Sequence, residues 1–335
     1  MRNFRLLGFF FFLVFAGSVA WPIPAPGFNL PELVKAADLV VVGKIVDVHE
    51  VSRVTMTIRN IEQEYQVMQA QIRPARVLKG TVPDALITVR FLLPMRYPIG
   101  YRGLNQSEFR LIMLIASKSN PSEYELTSPY YPSQAAISDP PARYDSALAS
   151  VIAEMSSAIA SPAADWSARR QAMFNLMSVT DPTVTHALEA AVTDKDNRVN
   201  IFAAAFLLLR DDMAGLDRAA RALNSELKSL RDDDRSTLLA GISRGIHNPQ
   251  AIPFLQKLLS SPDAEVRAIA AHGLGTIGLR STQELLLPLL RDPESSVRFA
   301  AATALADVTG NVQWKPQSFQ DFQQNQQRYL SYWDK

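Results

Sequence analysis

Gly241-Ile-Ser243-Arg-Gly245 has the G-x-S-x-G spacing that raises a nucleophilic serine at a sharp turn in many esterases and lipases. The chemistry would be acyl transfer. It needs a strand before the serine, a helix after it, and a histidine and an acid within reach. The flanks, "STLLAGISRGI", are helical in character on both sides, and the two glycines read as close-packing or helix-ending residues. The four histidines, His49, His186, His247 and His272, are scattered singly, with no partner at metal-ligand spacing. "RDDDR" at 231–235 offers oxygen ligands for calcium but lacks the glycine and the spaced carboxylates of an EF-hand loop. Acids at a turn also cap the next helix, and that is the expected role. The chain has no cysteine, which excludes thiol catalysis, Cys-based zinc sites and iron–sulfur clusters. No phosphate-cradling loop, dinucleotide fingerprint or paired-carboxylate motif stands out. The residues therefore predict no catalytic, cofactor-binding or metal site, and the chain is not expected to be an enzyme.

The elements that hold these residues begin with an address. Arg2 and Arg5 precede the apolar run "LLGFFFFLVFAG", and Ser18-Val19-Ala20 ends it with small residues. This is the pattern of a secretory signal, with cleavage expected after Ala20 and no stable membrane span afterwards. Removing residues 1–20 takes away two arginines and leaves 32 basic against 33 acidic residues. A near-neutral chain has no general electrostatic reason to seek nucleic acid or anionic lipid. The expected location is the periplasm or outside the cell. Without disulfides each domain must rest on its apolar core, which the length allows for two domains.

Residues 21–31, "WPIPAPGFNLP", read as an extended lead-in. Strand character then fills "ADLVVVGKIVDVHEV" (37–51), "YQVMQAQIRPARVLKG" (65–80), "ALITVRFLLP" (85–94), "EFRLIMLIAS" (108–117) and "EYELTS" (123–128). Five strands in about 100 residues suggest a small closed or nearly closed barrel over 21–128. In strand order and hydrophobic character this half resembles the OB-fold of the netrin/tissue-inhibitor-of-metalloproteinase superfamily. Inhibitors of that group chelate the protease metal through an N-terminal cysteine. This chain has none, so that mode of inhibition is not expected of it.

A Pro-rich linker is expected over 129–142, followed by a helical half. There the chain repeats. "PDAEVRAIAAHGLGTIG" (262–278) aligns with "PESSVRFAAATALADVTG" (293–310) at a shift of 31, placing Arg267 on Arg298, Ala270 on Ala301 and Leu274 on Leu305. Arg169, Ala172, Met173 and Leu176 take these slots in the first unit. Each unit reads as two short helices that bury a face only by stacking. "NPQAIPFLQKLLSSPDAEVRAIAAHGLGTIG" is similar to HEAT-like repeats of the phycobilisome-lyase type. A shift of 31 puts Ser243 in the core slot of Leu274, which is the main argument against a nucleophile.

The recurring Arg169, Arg267 and Arg298 are expected to tie one repeat's turn to the next, a binding ladder being the alternative. The tail at 312–335 carries Phe319, Phe322, Tyr329, Tyr332 and Trp333 and is expected to cap the last repeat. The resulting fold class is two-domain, all-β plus all-α: a small OB-like β-barrel and a HEAT/armadillo-like α-solenoid over 143–311. The expected function is an exported, non-catalytic scaffold or adaptor for a protein partner. Its groove would be lined by second helices and would expose some of Gln256, Lys257, Gln283 and Glu284. The alternatives are an inhibitor-like regulator of an exported enzyme, acting through the barrel, and an enzyme with an unrecognised site.

Overall fold

A computed structural model describes residues 28–58, 61–82, 85–95, 103–137 and 144–333. The expected signal segment, its cleavage point at Ala20, and residues 21–27 of the lead-in lie outside the described residues.

The N-terminal region is sheet-rich. A short helix, α1 (Leu30–Ala36), precedes β1 (Leu39–Ile58), β2 (Ile61–Lys79), β3 (Ile87–Pro94), β4 (Ser107–Ala116), β5 (Tyr124–Leu126) and β6 (Gln134–Ala135). The strand order is β1-β2-β3-β5-β4-β6, and β1 also pairs with β4. The β3–β5 pairing is parallel and the others are antiparallel. Starting from β1, the pairings pass through β2, β3, β5 and β4 and return to β1.

The apolar runs have a simple cause. Along β1, Leu39 and Val41 face one buried cluster with Ile72, Val89, Ile112 and Leu114. Val40 and Val42 face the other way, joining Leu111, Met113 and the helices Leu30, Val34, Val151 and Met155 belong to. Side chains alternate across a strand, so a strand buried on both faces reads as continuous Val and Leu. Polarity alone then cannot fix the register. Gly43 helps to do so, because a Cβ there would lie 2.5 Å from the carbonyl oxygen of Arg73 on β2.

Two expectations change here. Residues 52–58 and 61–64, left unassigned between the expected strands, extend β1 and β2 as one long antiparallel ribbon. Its outer part pairs Val54 with Tyr65 and Met56 with Gln63. The alternation in "VTMTI" accounts for it, and bulges such as that between Glu50 and Ser52 let the ribbon twist. Part of the Pro-rich stretch 129–142 is packed sheet: Gln134 and Ala135 pair with Leu111 and Arg110 and are fully buried.

Residues 144–333 are helical. α2 (Ala147–Ala160) leads, followed by α3 (Trp166–Leu176), α4 (Pro182–Ala191), α5 (Asn197–Leu209), α6 (Leu216–Arg221), α7 (Asp232–Ala240), α8 (Ile252–Leu258), α9 (Ala264–Ile277), α10 (Gln283–Leu286), α11 (Ser295–Thr309) and α12 (Phe319–Trp333). α3, α5, α7, α9 and α11 are the first helices of successive units and stack in order. α2 is buried on nearly every side, with Val151, Ile152, Met155, Ala158 and Ile159 at 5% exposure or less. It packs on α3 and α4 and also on β2 and β6. The sheet region and the first repeats therefore share a core, in which each fully buried Val, Leu or Met is worth roughly 1.5–3 kcal/mol.

Candidate functional site

Ser243 lies in a widened helical turn, Gly241–Gly245, that continues α7. No strand precedes it. Its hydroxyl donates weakly to the Ala240 carbonyl at 3.4 Å, and its own carbonyl accepts from Thr276 Oγ1 at 2.9 Å. A Cβ on Gly245 would sit 2.2 Å from the Leu208 carbonyl oxygen, and one on Gly241 2.7 Å from that of Ala205. The glycines are there because α5 and this turn touch backbone to backbone. The following histidine, His247, is exposed and gives only its backbone N–H, to Asp211 Oδ1 at 2.7 Å. The G-x-S-x-G spacing is thus a helix-packing feature.

The arginine slot does join neighbouring turns. Arg267 binds Asp292, one turn on, through two hydrogen bonds of 2.8 and 2.9 Å, and donates to the Ser261 carbonyl at 2.8 Å. Its guanidinium holds the Asp292 carboxyl below the usual carboxylate range. Arg169 binds Asp194 at 2.7 Å, and Arg298 donates to the Asp292 carbonyl. In the second unit the slot holds Asn200. It donates to the Asp194 carbonyl at 2.8 Å, which is again six residues back, and accepts from Arg218 at 2.6 Å. Arg169 is 3% exposed and out of reach of a partner.

The acids of "RDDDR" occupy the first turn of α7, where their charge complements the helix dipole. Asp234 is buried against Arg231 at 3.1 Å. His49 and His186 are exposed. His272 packs beside Phe299, and burial lowers its pKa, with Asp307 opposing. In the tail, Phe322 is fully buried beside Phe299, and Trp314 stacks on Tyr332 at 4.1 Å. α12 thereby covers α11. Of the second-helix residues, Gln256, Lys257 and Glu284 are exposed and Gln283 is half-buried.

The structure forms a recess that the sequence did not point to. It lies between β4, the 130–133 segment and the exposed side of α3, with a volume of about 920 Å³. Arg110 of β4 donates to Ser133 Oγ and to Gln171 Oε1 of α3, each at 3.2 Å. Gln171 in turn donates to the Ser133 carbonyl at 3.3 Å. Arg170 lies 5.1 Å above the Phe174 ring, and Phe174 is 42% exposed. The preceding residue of β4, Phe109, has φ of 29°, a conformation that a bulky residue adopts only under constraint. Arginines and aromatics in the connecting segment gave no periodic signal, so only the fold brings them together.

The architecture defines a helical repeat protein with a sheet-rich N-terminal region. Within the helical region, a family model described as HEAT repeats matches residues 220–306. Among curated proteins none matches the chain. Among solved structures, an engineered protein is 20% identical over 55% of this chain and 96% of its own, with a TM-score of 0.36. The complex of CpcE and CpcF of phycocyanin lyase from Nostoc sp. PCC7120 is 22% identical over 38% of this chain and 65% of that one, with a TM-score of 0.25. A second engineered protein is 19% identical over 56% and 57%, with a TM-score of 0.32. Among the described residues no helix is long and apolar enough to cross a membrane, and no group of three or more His, Asp or Glu is placed to hold a metal.

Proposed function

We propose that the protein is an exported, non-catalytic scaffold that binds a protein partner along the second-helix flank of its solenoid. One observation carries the reading. The first helices bury one face by stacking on one another, while Gln256, Lys257 and Glu284 remain exposed on α8 and α10 of adjacent units. A repeat array offers such a flank as a continuous surface, and a few anchors on it supply most of the affinity. The residue pattern of 1–20 supports export. The return of the pairings to β1 supports reading the sheet as a small OB-like barrel, which braces the first repeat.

The test is affinity capture from the exported fraction with the whole protein, against a Lys257→Glu/Glu284→Lys variant. A partner held by the native protein and lost from the folded variant supports the reading. Equal retention by both moves the partner off this flank. A second reading, a regulator of an exported enzyme, is favoured by the β1–β2 arm. Beyond Ile45 that arm has no β4 partner, and Val51, Val54 and Met56 on it are exposed. Loss of the partner on an arm variant such as Val54→Asp, but not on the flank variant, would select it.

A further inference from the structure

We propose that the recess between β4 and α3 is a binding site for an extended acidic peptide, whose carboxylate meets Arg110. This site is separate from the second-helix flank and stands whether or not that flank holds a partner.

Arg110 is the reason. Its guanidinium is half-buried and remains charged in proteins generally. Among the described residues its hydrogen bonds go only to neutral oxygens, Ser133 Oγ and Gln171 Oε1, and no carboxylate reaches ion-pair distance. Burial pulls its pKa down, with Asp165 opposing from a distance. Asp165 makes no ion pair with it; its carboxylate caps α3, accepting from the Ala168 N–H at 2.8 Å. A partly desolvated cation without a counter-ion is costly, and an incoming carboxylate offsets that cost. The contrast lies elsewhere in the same fold, where the buried Arg169 and the half-buried Arg267 each hold an aspartate.

The walls fit a peptide better than a free small anion. A second guanidinium, Arg170, lies at the same mouth; its acid, Asp233, is 3.6 Å away and 79% exposed. Phe174 presents an exposed ring on the helix face that Gln171 and Asn175 share, and Tyr130 and Tyr131 stand across the recess. Aromatic walls with amide donors and acceptors suit alternating side chains and backbone. The volume of about 920 Å³ lies within the roughly 300–1,000 Å³ of ordinary ligand sites.

Three probes test this on the whole protein: Ac-Ala-Glu-Ala-Glu-Ala-amide, its Gln counterpart as an amide, and the Gln peptide with a free C-terminus. Binding is read by calorimetry at low salt and by the NMR signal of the Trp166 indole, which borders the recess. The expected result is binding of the Glu peptide but not the Gln amide, weakened at least about tenfold in Arg110→Gln. Arg110→Gln should keep the native melting temperature or raise it, since it removes a partly desolvated charge that has no ion-pair partner. Binding of the free-acid peptide alone keeps the carboxylate site and assigns it to chain termini. If the Gln amide binds as well, if Arg110→Gln and Arg170→Gln bind as the native protein does, or if no peptide moves the Trp166 signal, the proposal is overturned.

Discussion

Glu154, 1% exposed on α2, accepts two hydrogen bonds of 2.7 Å from the guanidinium of Arg76 on β2. The same guanidinium donates to the Ile137 carbonyl at 2.9 Å. One ion pair thus fastens the sheet to the helix on which the repeats are stacked. Removing one partner of a buried pair leaves an uncompensated charge, so Glu154→Gln should cost about 3–5 kcal/mol in urea unfolding. An Arg76→Met/Glu154→Leu double variant should regain much of that. A loss below about 1 kcal/mol would show that the pair is not a fastener.

The Arg267–Asp292 pair should appear in the acid dependence of stability. The folded Asp292 carboxyl lies below its ordinary value, first through the Arg267 hydrogen bonds. A lowered carboxylate contributes stability above its unfolded pKa, about 3.9, which is lost as pH falls through the folded value. Asp292→Asn should therefore cost about 3 kcal/mol at neutral pH. The gap from the native protein should persist down to about pH 4 and narrow below it. Denaturant titrations across that range check it; a gap that narrows near neutrality would contradict the assignment.

His272 predicts a different window. Burial lowers its folded pKa; Asp307 opposes this, and Lys315 and Arg244 reinforce it. Above about pH 6.5 the imidazole is neutral in both states and adds no dependence. Below that value the unfolded chain takes a proton that the folded one refuses, so stability falls until the folded value is reached. His272→Gln should flatten the melting temperature between about pH 7 and pH 5. An unchanged slope would place the titrating group elsewhere.

The helix-packing account of the G-x-S-x-G segment separates its two kinds of residue. Gly245→Ala must push a methyl against the Leu208 carbonyl and should cost at least about 2 kcal/mol. Ser243→Ala should change stability by less than about 1 kcal/mol and leave any ester hydrolysis by the preparation untouched. A folded Ser243→Ala protein that loses such an activity would restore the nucleophile.

The solenoid was legible because its cause repeats. Small residues, an arginine and a capping turn recur at a shift of 31, and the stack of α9 on α11 follows from them. The strands were legible where the Val and Leu runs are long, as at Val40–Val42. The strand extensions at 52–58 and 61–64 were missed because their described side chains are mostly exposed, and exposed strand resembles loop in composition. Glu154 carried a signal, a lone carboxylate inside the apolar helix "ALASVIAEMSSAIA", but its partner Arg76 lies 78 residues away. The Arg110 recess carried none, since it is made by three segments that meet only after folding.

Both ends of the helical stack are closed. α2 and the sheet lie against the first unit, and α12, with Phe322 and Tyr329 buried, lies over the last. An uncovered repeat presents the kind of face by which its own neighbours join, so an open array invites head-to-tail growth into filaments. Here that route is blocked at each terminus of the stack. Assembly with anything else is left to side surfaces such as the second-helix flank, the seam with the sheet and the β1–β2 arm.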